Sequence, residues 1–252
     1  MDNTYNDSHR LFIQSMFSKR IITEDDALKL YDQVCELTGL PATEDYPLFI
    51  SSLNEELAEL DYSLRISHDE RDGIAYLTLV NVKQDPVTEL ATTFTPIEIS
   101  YIRELFEKII TADNENFALS TRAAINLGHS VESRLTLKDT QDILDRLVQD
   151  RWIAMEEKGV YYLDTRAIAE LQSYFREQYS DIVKECTTCL DFITMGERCE
   201  VEECPVRLHK YCADKLFANK NNPCCPQCST RWNRSNTFGL GLPDDTTDFS
   251  DD

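Results

Sequence analysis

The chain has 252 residues, with 25 basic against 46 acidic side chains and a formal net charge of −21. That charge opposes unaided binding to nucleic acid, because phosphate contacts need clustered Lys and Arg. No apolar run approaches the length of a transmembrane helix, and the polar start MDNTYNDSHR lacks the apolar core of a secretion signal. We therefore expect an intracellular protein, away from membranes, whose cysteines stay reduced.

The first part of the chain follows the pattern of a winged helix. Three helices are predicted, the first capped by Asp7 or Ser8, the second running from Thr23 to Gly39 and the third over residues 45–60. Apolar residues recur at helical spacing: Leu11, Phe12 and Met16, then Ala27, Leu28, Tyr31, Val34, Cys35 and Leu37, then Leu48, Phe49, Leu53, Leu57 and Leu60. Alternating strands at 62–66 and 75–80 then flank the polar turn HDERDG. We assign residues 1–84 to winged-helix domain A.

The same pattern recurs after a predicted linker over residues 85–95. The predicted elements are helices beginning at Pro96, over residues 120–127 and after Thr136, strands over residues 152–155 and 160–163, and a trailing helix over residues 165–183. The apolar faces are Ile99, Ile102, Leu105, Phe106 and Ile109, then Leu137, Ile143, Leu144, Leu147 and Val148. We assign residues 96–183 to winged-helix domain B with a trailing helix.

The third helix of each domain is too acidic to bind DNA, which is the usual function of this helix in a winged-helix domain. Winged helices most often read DNA by placing this helix in the major groove. The acidic side chains are Glu55, Glu56 and Glu59 in domain A, and Asp139, Asp142 and Asp145 in domain B, where Lys138 and Arg146 oppose them. Because these carboxylates repel phosphate, we expect both domains to dock proteins and to meet DNA only through a basic partner.

A metal signature follows over residues 186–228, which hold eight of the nine cysteines and one of the four histidines. Zinc prefers such ligands in a tetrahedron, and a C-x2-C turn brings two thiolates to one ion. The predicted ligand pairs are Cys186 with Cys189, Cys199 with Cys204, His209 with Cys212, and Cys225 with Cys228. Seven cysteines and one histidine fill two closed sites, which are structural rather than catalytic. Cys224 is left as a spare thiol.

The zinc domain is assigned to residues 184–234. It has few large apolar residues, so removal of the metal should unfold it, because each structural zinc supplies on the order of 10 kcal/mol. The acidic residues 235–252 are expected to form a disordered tail. Elsewhere Cys35 is expected in a core, while His9, His68 and His129 are expected at the surface.

Spacing alone leaves open which ligand pairs share an ion: neighbouring pairs in series, or alternate pairs. The ligand order, with histidine fifth, resembles the cross-braced RING and PHD fingers. That resemblance implies two sets of ligands, namely Cys186, Cys189, His209 and Cys212 for the first zinc, and Cys199, Cys204, Cys225 and Cys228 for the second.

The two finger families place different residues around these ligands. The spacing on either side of Cys204 is closer to PHD fingers, but Pro223 stands where they usually carry an aromatic residue. The closing CPQC is similar to a RING, in which Pro226 and Leu216 occupy positions that contact a ubiquitin-conjugating enzyme, together with the loop around Leu190. Thr188 and Ser229 depart from the RING pattern, which predicts weak activity for the isolated chain.

Tandem winged helices followed by such a finger, in an acidic chain of this length, resemble one family. It is the non-SMC element one subunit of the structural-maintenance-of-chromosomes complex devoted to DNA repair. The resemblance implies an α+β protein of the RING ubiquitin-ligase type that is nuclear and chromatin-associated. It also implies two zinc ions, no catalytic side chain, and a MAGE-domain subunit, a kleisin subunit and a ubiquitin-conjugating enzyme as partners. A PHD-like peptide reader and a purely structural zinc finger remain alternatives.

Overall fold

A computed structural model describes residues 5–39, 45–82, 93–130, 135–157 and 159–240. Over these ranges the chain combines helices with short antiparallel sheets, which confirms the α+β class. No helix in the described part is long and apolar enough to cross a membrane. Most of the predicted linker, residue 158 in the second wing and residues 241–252 of the predicted tail lie outside the described residues.

Domain A is a winged helix with a three-stranded sheet. Its elements are α1 (Asp7–Lys19), β1 (Ile21–Thr23), α2 (Glu24–Thr38), α3 (Tyr46–Ala58), β2 (Tyr62–His68) and β3 (Ala75–Asn81). Thr23 caps α2 by accepting from the amide of Asp26, and Gly39 ends that helix in the left-handed conformation (φ 64°), both as predicted. Strand β1 was not predicted. It pairs with β3, so the sheet order is β1-β3-β2.

His9 is buried rather than exposed, which corrects the prediction for this histidine. The cap of α1 is Asn6, not Asp7 or Ser8, and the imidazole of His9 completes a capping box with it. The His9 ring also lies 4.3 Å from the ring of Phe49 in a stacked arrangement, and its Nε2 lies 3.1 Å from Ser52 Oγ. His9 therefore ties α1 to α3.

The predicted apolar stripes of domain A were too wide. Leu28, Leu37, Leu48, Leu60 and Ile66 are exposed rather than buried. The closed core contains, among others, Phe12, Met16, Tyr31, Val34, Cys35, Phe49, Leu53, Leu57, Leu64, Leu77 and Leu79. A helix buries only the residues that face its neighbours, so Leu28, Leu37 and Leu48 at the margins of their stripes stay in solvent. Leu60 follows the end of α3, and Ile66 lies on strand β2.

Domain B repeats this topology. Its elements are α4 (Pro96–Ile110), a 3₁₀ turn (Asp113–Glu115), β4 (Ala118–Ser120), α5 (Thr121–Ser130), α6 (Leu137–Gln149), β5 (Ile153–Glu156), β6 (Val160–Leu163) and α7 (Thr165–Gln178). Strand β4, again not predicted, joins the wing in the order β4-β6-β5. The trailing helix α7 ends at Gln178 instead of 183, and Leu137 at the start of α6 is exposed. The structure therefore confirms two winged helices in tandem.

The cap of α6 supports a stability prediction. The Thr136 hydroxyl accepts from the amide of Asp139, and the Asp139 carboxylate reaches back to the Thr136 amide. Thr136→Ala removes this reciprocal cap and is expected to lower the free energy of unfolding by about 1 kcal/mol. Equilibrium denaturation measures the change. Ser130→Ala removes an exposed hydroxyl that donates to the Leu127 carbonyl, and it should stay within about 0.5 kcal/mol. Equal losses in the two variants would contradict the cap assignment.

The zinc domain shares its core with domain B. Its elements are β7 (Lys184–Glu185), β8 (Phe192–Ile193), β9 (Gly196–Arg198), β10 (Arg207–Leu208), α8 (Lys210–Phe217) and β11 (Thr237–Phe238). One continuous cluster of buried residues runs from Phe94 through α4, α6 and α7 into the zinc domain. At the junction the ring of Phe192 stacks on that of Phe175, with centroids 5.7 Å apart. The predicted domain boundary near residue 184 therefore does not separate two hydrophobic cores, because domain B and the zinc domain share one.

Residues 235–240, predicted as the start of a disordered tail, are ordered. Strand β11 pairs with β9 and completes a sheet in the order β10-β9-β11. Phe238 is buried against Phe117 of domain B, and the amide of Gly239 donates to the Glu115 carbonyl at 3.0 Å. The zinc domain therefore extends to residue 240. The acidic composition of residues 235–252 did not indicate this strand, whose buried residue is Phe238.

Domain A contacts domain B through the tip of its wing, residues 69–73 between β2 and β3. The Thr165 hydroxyl donates to Asp69 Oδ2 at 3.0 Å, and the Arg71 guanidinium donates to the Tyr162 hydroxyl at 2.9 Å. Arg71 also forms an ion pair with Glu156 at 2.9 Å. This wing tip enters the junction of domains A and B with the zinc domain.

Candidate metal centre

Two clusters of potential zinc ligands form in the zinc domain. The first contains Cys186, Cys189, His209 and Cys212, the second contains Cys199, Cys204, Cys225 and Cys228, and the ligand atoms of each lie within 4.8 Å of one another. Alternate ligand pairs thus come together, and this selects the cross-braced arrangement from the two that spacing allowed. It is also the arrangement that the resemblance implied.

The distances suit zinc. A tetrahedral ion with Zn–S bonds of about 2.3 Å holds its sulfurs about 3.8 Å apart. The Sγ atoms of Cys199 and Cys228 are 3.5 Å apart, and those of Cys204 and Cys225 are 3.7 Å apart. All nine cysteines, which lie in the described part of the chain, are free of disulfides. Two clusters of four ligands fit two zinc ions, as predicted for the cofactor.

The two C-x2-C turns have the same local structure. The amide of Leu190 donates to the Cys186 carbonyl at 2.8 Å, and the amide of Ser229 donates to the Cys225 carbonyl at 3.0 Å. Both donors adopt left-handed φ values, 65° for Leu190 and 61° for Ser229. This conformation costs a residue other than glycine about 1–2 kcal/mol. Both turns adopt it, and in each turn the two cysteines belong to one ligand cluster.

Without metal, the cysteine ligands have widely different pKa values. Burial raises the pKa of Cys186, but hydrogen bonding from His209 and nearby amides outweighs it and lowers the value to about 6. The pKa of Cys228 also falls to about 6, chiefly through the Thr230 hydroxyl and amide. Burial raises the pKa values of Cys199 and Cys212 to about 12. Since zinc binds thiolates, loading the sites releases protons from the thiols whose pKa is raised, Cys199 and Cys212 among them.

The residues predicted to contact a conjugating enzyme flank the two clusters. Leu190, after the first C-x2-C turn, is 65% exposed. Pro226, inside the second turn, is exposed, and Leu216 on α8 is half-buried against the shared core. Cys224 is exposed and belongs to neither cluster, in agreement with its prediction as a spare thiol.

Sequence reasoning missed one residue at the first cluster. Glu70 of the domain A wing tip is 5% exposed, and its Oε1 lies 3.1 Å from His209 Nε2. The amide of Thr194 donates to the same Oε1 at 2.8 Å, and the Thr194 hydroxyl donates to Oε2. Glu70 occurs in the turn HDERDG, whose polarity indicated a solvent-exposed loop. Nothing local in the sequence connects it to a histidine 139 residues away.

Two winged helices joined to a cross-braced unit with two zinc clusters define a RING-like winged-helix protein. A family model described as Nse1 non-SMC component of SMC5-6 complex matches residues 9–171, and a model of a RING-like domain matches residues 186–228. The chain therefore belongs to the Nse1 family. Membership confirms the resemblance drawn from the sequence and identifies the chain as a RING-type subunit of the SMC5-6 complex.

Individual relatives match this chain over most of their length. The chain is 32% identical to the non-structural maintenance of chromosomes element 1 homolog of Xenopus laevis, covering 92% of this chain and 85% of that protein. It is 30% identical to the human homolog, over 90% and 84% of the two chains, and 28% identical to the protein of Schizosaccharomyces pombe, over 92% and 95%. A chain in a solved Nse1-Nse3-Nse4 complex superposes with a TM-score of 0.80 at 32% identity, covering 92% of this chain and 98% of that one.

Proposed function

We propose that this chain is a RING-type E3 ubiquitin ligase subunit that activates a ubiquitin-charged conjugating enzyme. The observation that carries the proposal is the cross-braced platform with exposed apolar residues beside both zinc clusters. Such a platform needs no catalytic side chain, because it restrains the thioester so that a lysine attacks it in a favourable orientation. The zinc ions hold the loops of the platform, with the eight clustered cysteine and histidine side chains as their ligands.

Leu190 supports an interaction surface at the first zinc cluster. It occupies the left-handed position that glycine adopts at the least cost, yet it carries a large apolar side chain that remains 65% exposed. A leucine held in solvent in an unfavourable conformation contributes little to folding. Its exposure suits an apolar contact with another protein.

Leu216 and Pro226 would complete this surface. Leu216 lies on α8, the helix that also carries the ligand Cys212, and Pro226 lies between the ligands Cys225 and Cys228. Their backbone positions are therefore tied to the zinc clusters. We assign all three apolar residues to the contact with the conjugating enzyme.

The proposed activity depends on assembly. Thr188 and Ser229 replace the apolar and basic residues usual at these RING positions, so the isolated chain should be weak. The solved relative is part of a complex with Nse3 and Nse4, and we propose that this chain likewise binds a MAGE-domain subunit and a kleisin subunit. Exposed Leu37, Leu48 and Leu60 of domain A suit docking of a protein there. The chain would then act in the nucleus on chromatin, with DNA held by its partners.

Replacement of the apolar platform residues tests the proposal. Leu216→Ala and Pro226→Ala are each expected to slow ubiquitin discharge to free lysine about tenfold or more, since loss of a central apolar contact commonly costs 1–3 kcal/mol of binding. The assay uses the full chain with its MAGE-type partner and a panel of charged conjugating enzymes. Zinc content should stay at two ions per chain in both variants.

Val201→Ala is the matched control for these variants. Val201 is an exposed apolar residue of the same domain, in the loop between Cys199 and Cys204, outside the proposed platform. Its replacement should leave discharge unchanged. Discharge at the wild-type rate in the Leu216 and Pro226 variants would remove the contact assignment and favour a purely structural zinc domain.

A further inference from the structure

The wing tip of domain A, residues 69–73, lies directly against the first zinc cluster. The side chain of Glu70 is buried and bridges two segments of the zinc domain: the amide and hydroxyl of Thr194 on one side and Nε2 of His209 on the other. A carboxylate buried to this extent is costly unless its partners compensate it. Here one of those partners is a metal-ligating histidine.

The two ring nitrogens of His209 face different groups. Nδ1 lies 3.4 Å from Cys189 Sγ and 3.9 Å from Cys212 Sγ, so it points into the ligand cluster. Nε2 points away from the cluster, at 3.1 Å from Glu70 Oε1. With Nδ1 as the ligand, Nε2 carries the hydrogen and donates it to the carboxylate. A carboxylate in this position fixes the tautomer and the orientation of a ligating histidine and strengthens its bond to the metal.

Aromatic packing holds the same interface closed. The ring of Tyr211 stacks between those of His209 and His68, at 4.9 Å and 5.0 Å. Gly73, at φ 74°, approaches so closely that a Cβ there would lie 3.1 Å from the Cβ of Tyr211. The wing tip is therefore seated against the zinc domain by packing as well as by the Glu70 hydrogen bonds.

We propose that Glu70 is a positioning residue for the first zinc ion, supplied to the RING-like domain by the winged helix at the opposite end of the chain. Zinc binding and the docking of domain A then stabilise each other, because a coupling between two sites acts equally in both directions. A change that lifts the wing tip loosens the first zinc and spares the second, since no wing-tip side chain in the described structure contacts the second cluster. The inference rests on the zinc sites and does not depend on ligase activity.

Zinc release from the full chain tests this proposal. Glu70→Ala is expected to speed the loss of the first zinc to a chelator about 10–100-fold, the usual effect of removing an outer partner of a metal ligand, while the second zinc is lost at the wild-type rate. Glu70→Gln keeps an acceptor for His209 without the charge, so its effect should be smaller. Cobalt substitution separates the two sites, because one cysteine fewer in the first site gives it a distinct absorption spectrum.

Thr194→Val provides the matched control. It removes the hydroxyl contact to Glu70 Oε2 and leaves the contact between Glu70 and His209 in place. Because the contact to His209 remains, release of the first zinc should be accelerated much less than in Glu70→Ala, and the cobalt spectrum should match that of the wild type. Equal acceleration in the Thr194 and Glu70 variants, faster release from both sites in Glu70→Ala, or no acceleration at all would each overturn the proposal.

Hydrogen exchange measures the reverse direction of the coupling. Removing the first zinc from the wild-type chain should increase exchange in the wing tip while the helices of domain A stay protected. In Glu70→Ala the wing tip should exchange fast with or without metal. If removal of the first zinc leaves hydrogen exchange in the wild-type wing tip unchanged, the coupling is contradicted.

Discussion

Removal of both zinc ions is expected to unfold residues 186–240 and to destabilise domain B with them. Each structural zinc supplies about 10 kcal/mol or more, whereas a whole domain is commonly stable by only 5–15 kcal/mol. The buried cluster that contains Phe106 and Phe175 of domain B also contains Cys186 and Phe192 of the zinc domain. Loss of the ligand loops therefore uncovers one side of the domain B core.

Domain A should behave differently in the same experiment. Its core is a separate cluster of buried residues built on α1, α2, α3 and the wing. Hydrogen exchange with and without chelator should show lost protection in α4 and α7 and retained protection in α2. Unfolding confined to residues 186–240, with domain B as protected as before, would show that the two parts are energetically independent despite their shared core.

Phe192→Ala is expected to cost about 3–5 kcal/mol, the usual loss for a large buried aromatic residue. Phe192 is 1% exposed and stacks on Phe175, which is fully buried. Because the ring stacks on Phe175 of α7 and its strand pairs with Glu185, next to the ligand Cys186, the loss should appear in domain B and the zinc domain together. Leu190→Ala, at a 65% exposed position of the same domain, should stay within about 0.5 kcal/mol.

The two tryptophans of the chain allow this to be measured. Trp152 is buried in domain B and Trp232 is buried in the zinc domain. Denaturant unfolding of zinc-loaded protein, followed in Trp152→Phe and Trp232→Phe backgrounds, reports each part separately. The two transitions should coincide and shift by the same amount in Phe192→Ala. Separate midpoints, with a shift in only one of them, would argue against a common core.

Features carried by local chemistry could be predicted from the sequence. Thr23, Thr95 and Thr136 cap helices as expected, and Gly39 ends one, because a cap depends on residues within one turn. The zinc ligands were equally visible, since closely spaced cysteines seldom have another use in a reducing compartment. The sharing of ions between alternate pairs depends on the folded loops, and only the family resemblance anticipated it.

Long-range contacts could not be predicted from one sequence. The three-residue strands β1 and β4 are too short to show an alternating pattern, and β11 is hidden beside an acidic tail. His9 was predicted at the surface because its partners Phe49 and Ser52 lie on a different helix, far from it in the sequence. Glu70 could not be predicted for the same reason: it is a charged residue in a polar turn, and its partner His209 lies in another domain.

The central claim, an assisted RING-type ligase, is tested most directly by ubiquitin discharge from charged conjugating enzymes. The chain, verified to hold two zinc ions, is assayed alone and with its MAGE-type partner. We predict slow discharge by the chain alone and a rise of at least about tenfold with the partner, equivalent to about 1.4 kcal/mol of added transition-state stabilisation. No discharge from any conjugating enzyme, with the partner bound and both zinc ions in place, would contradict the claim and leave the zinc domain a structural role.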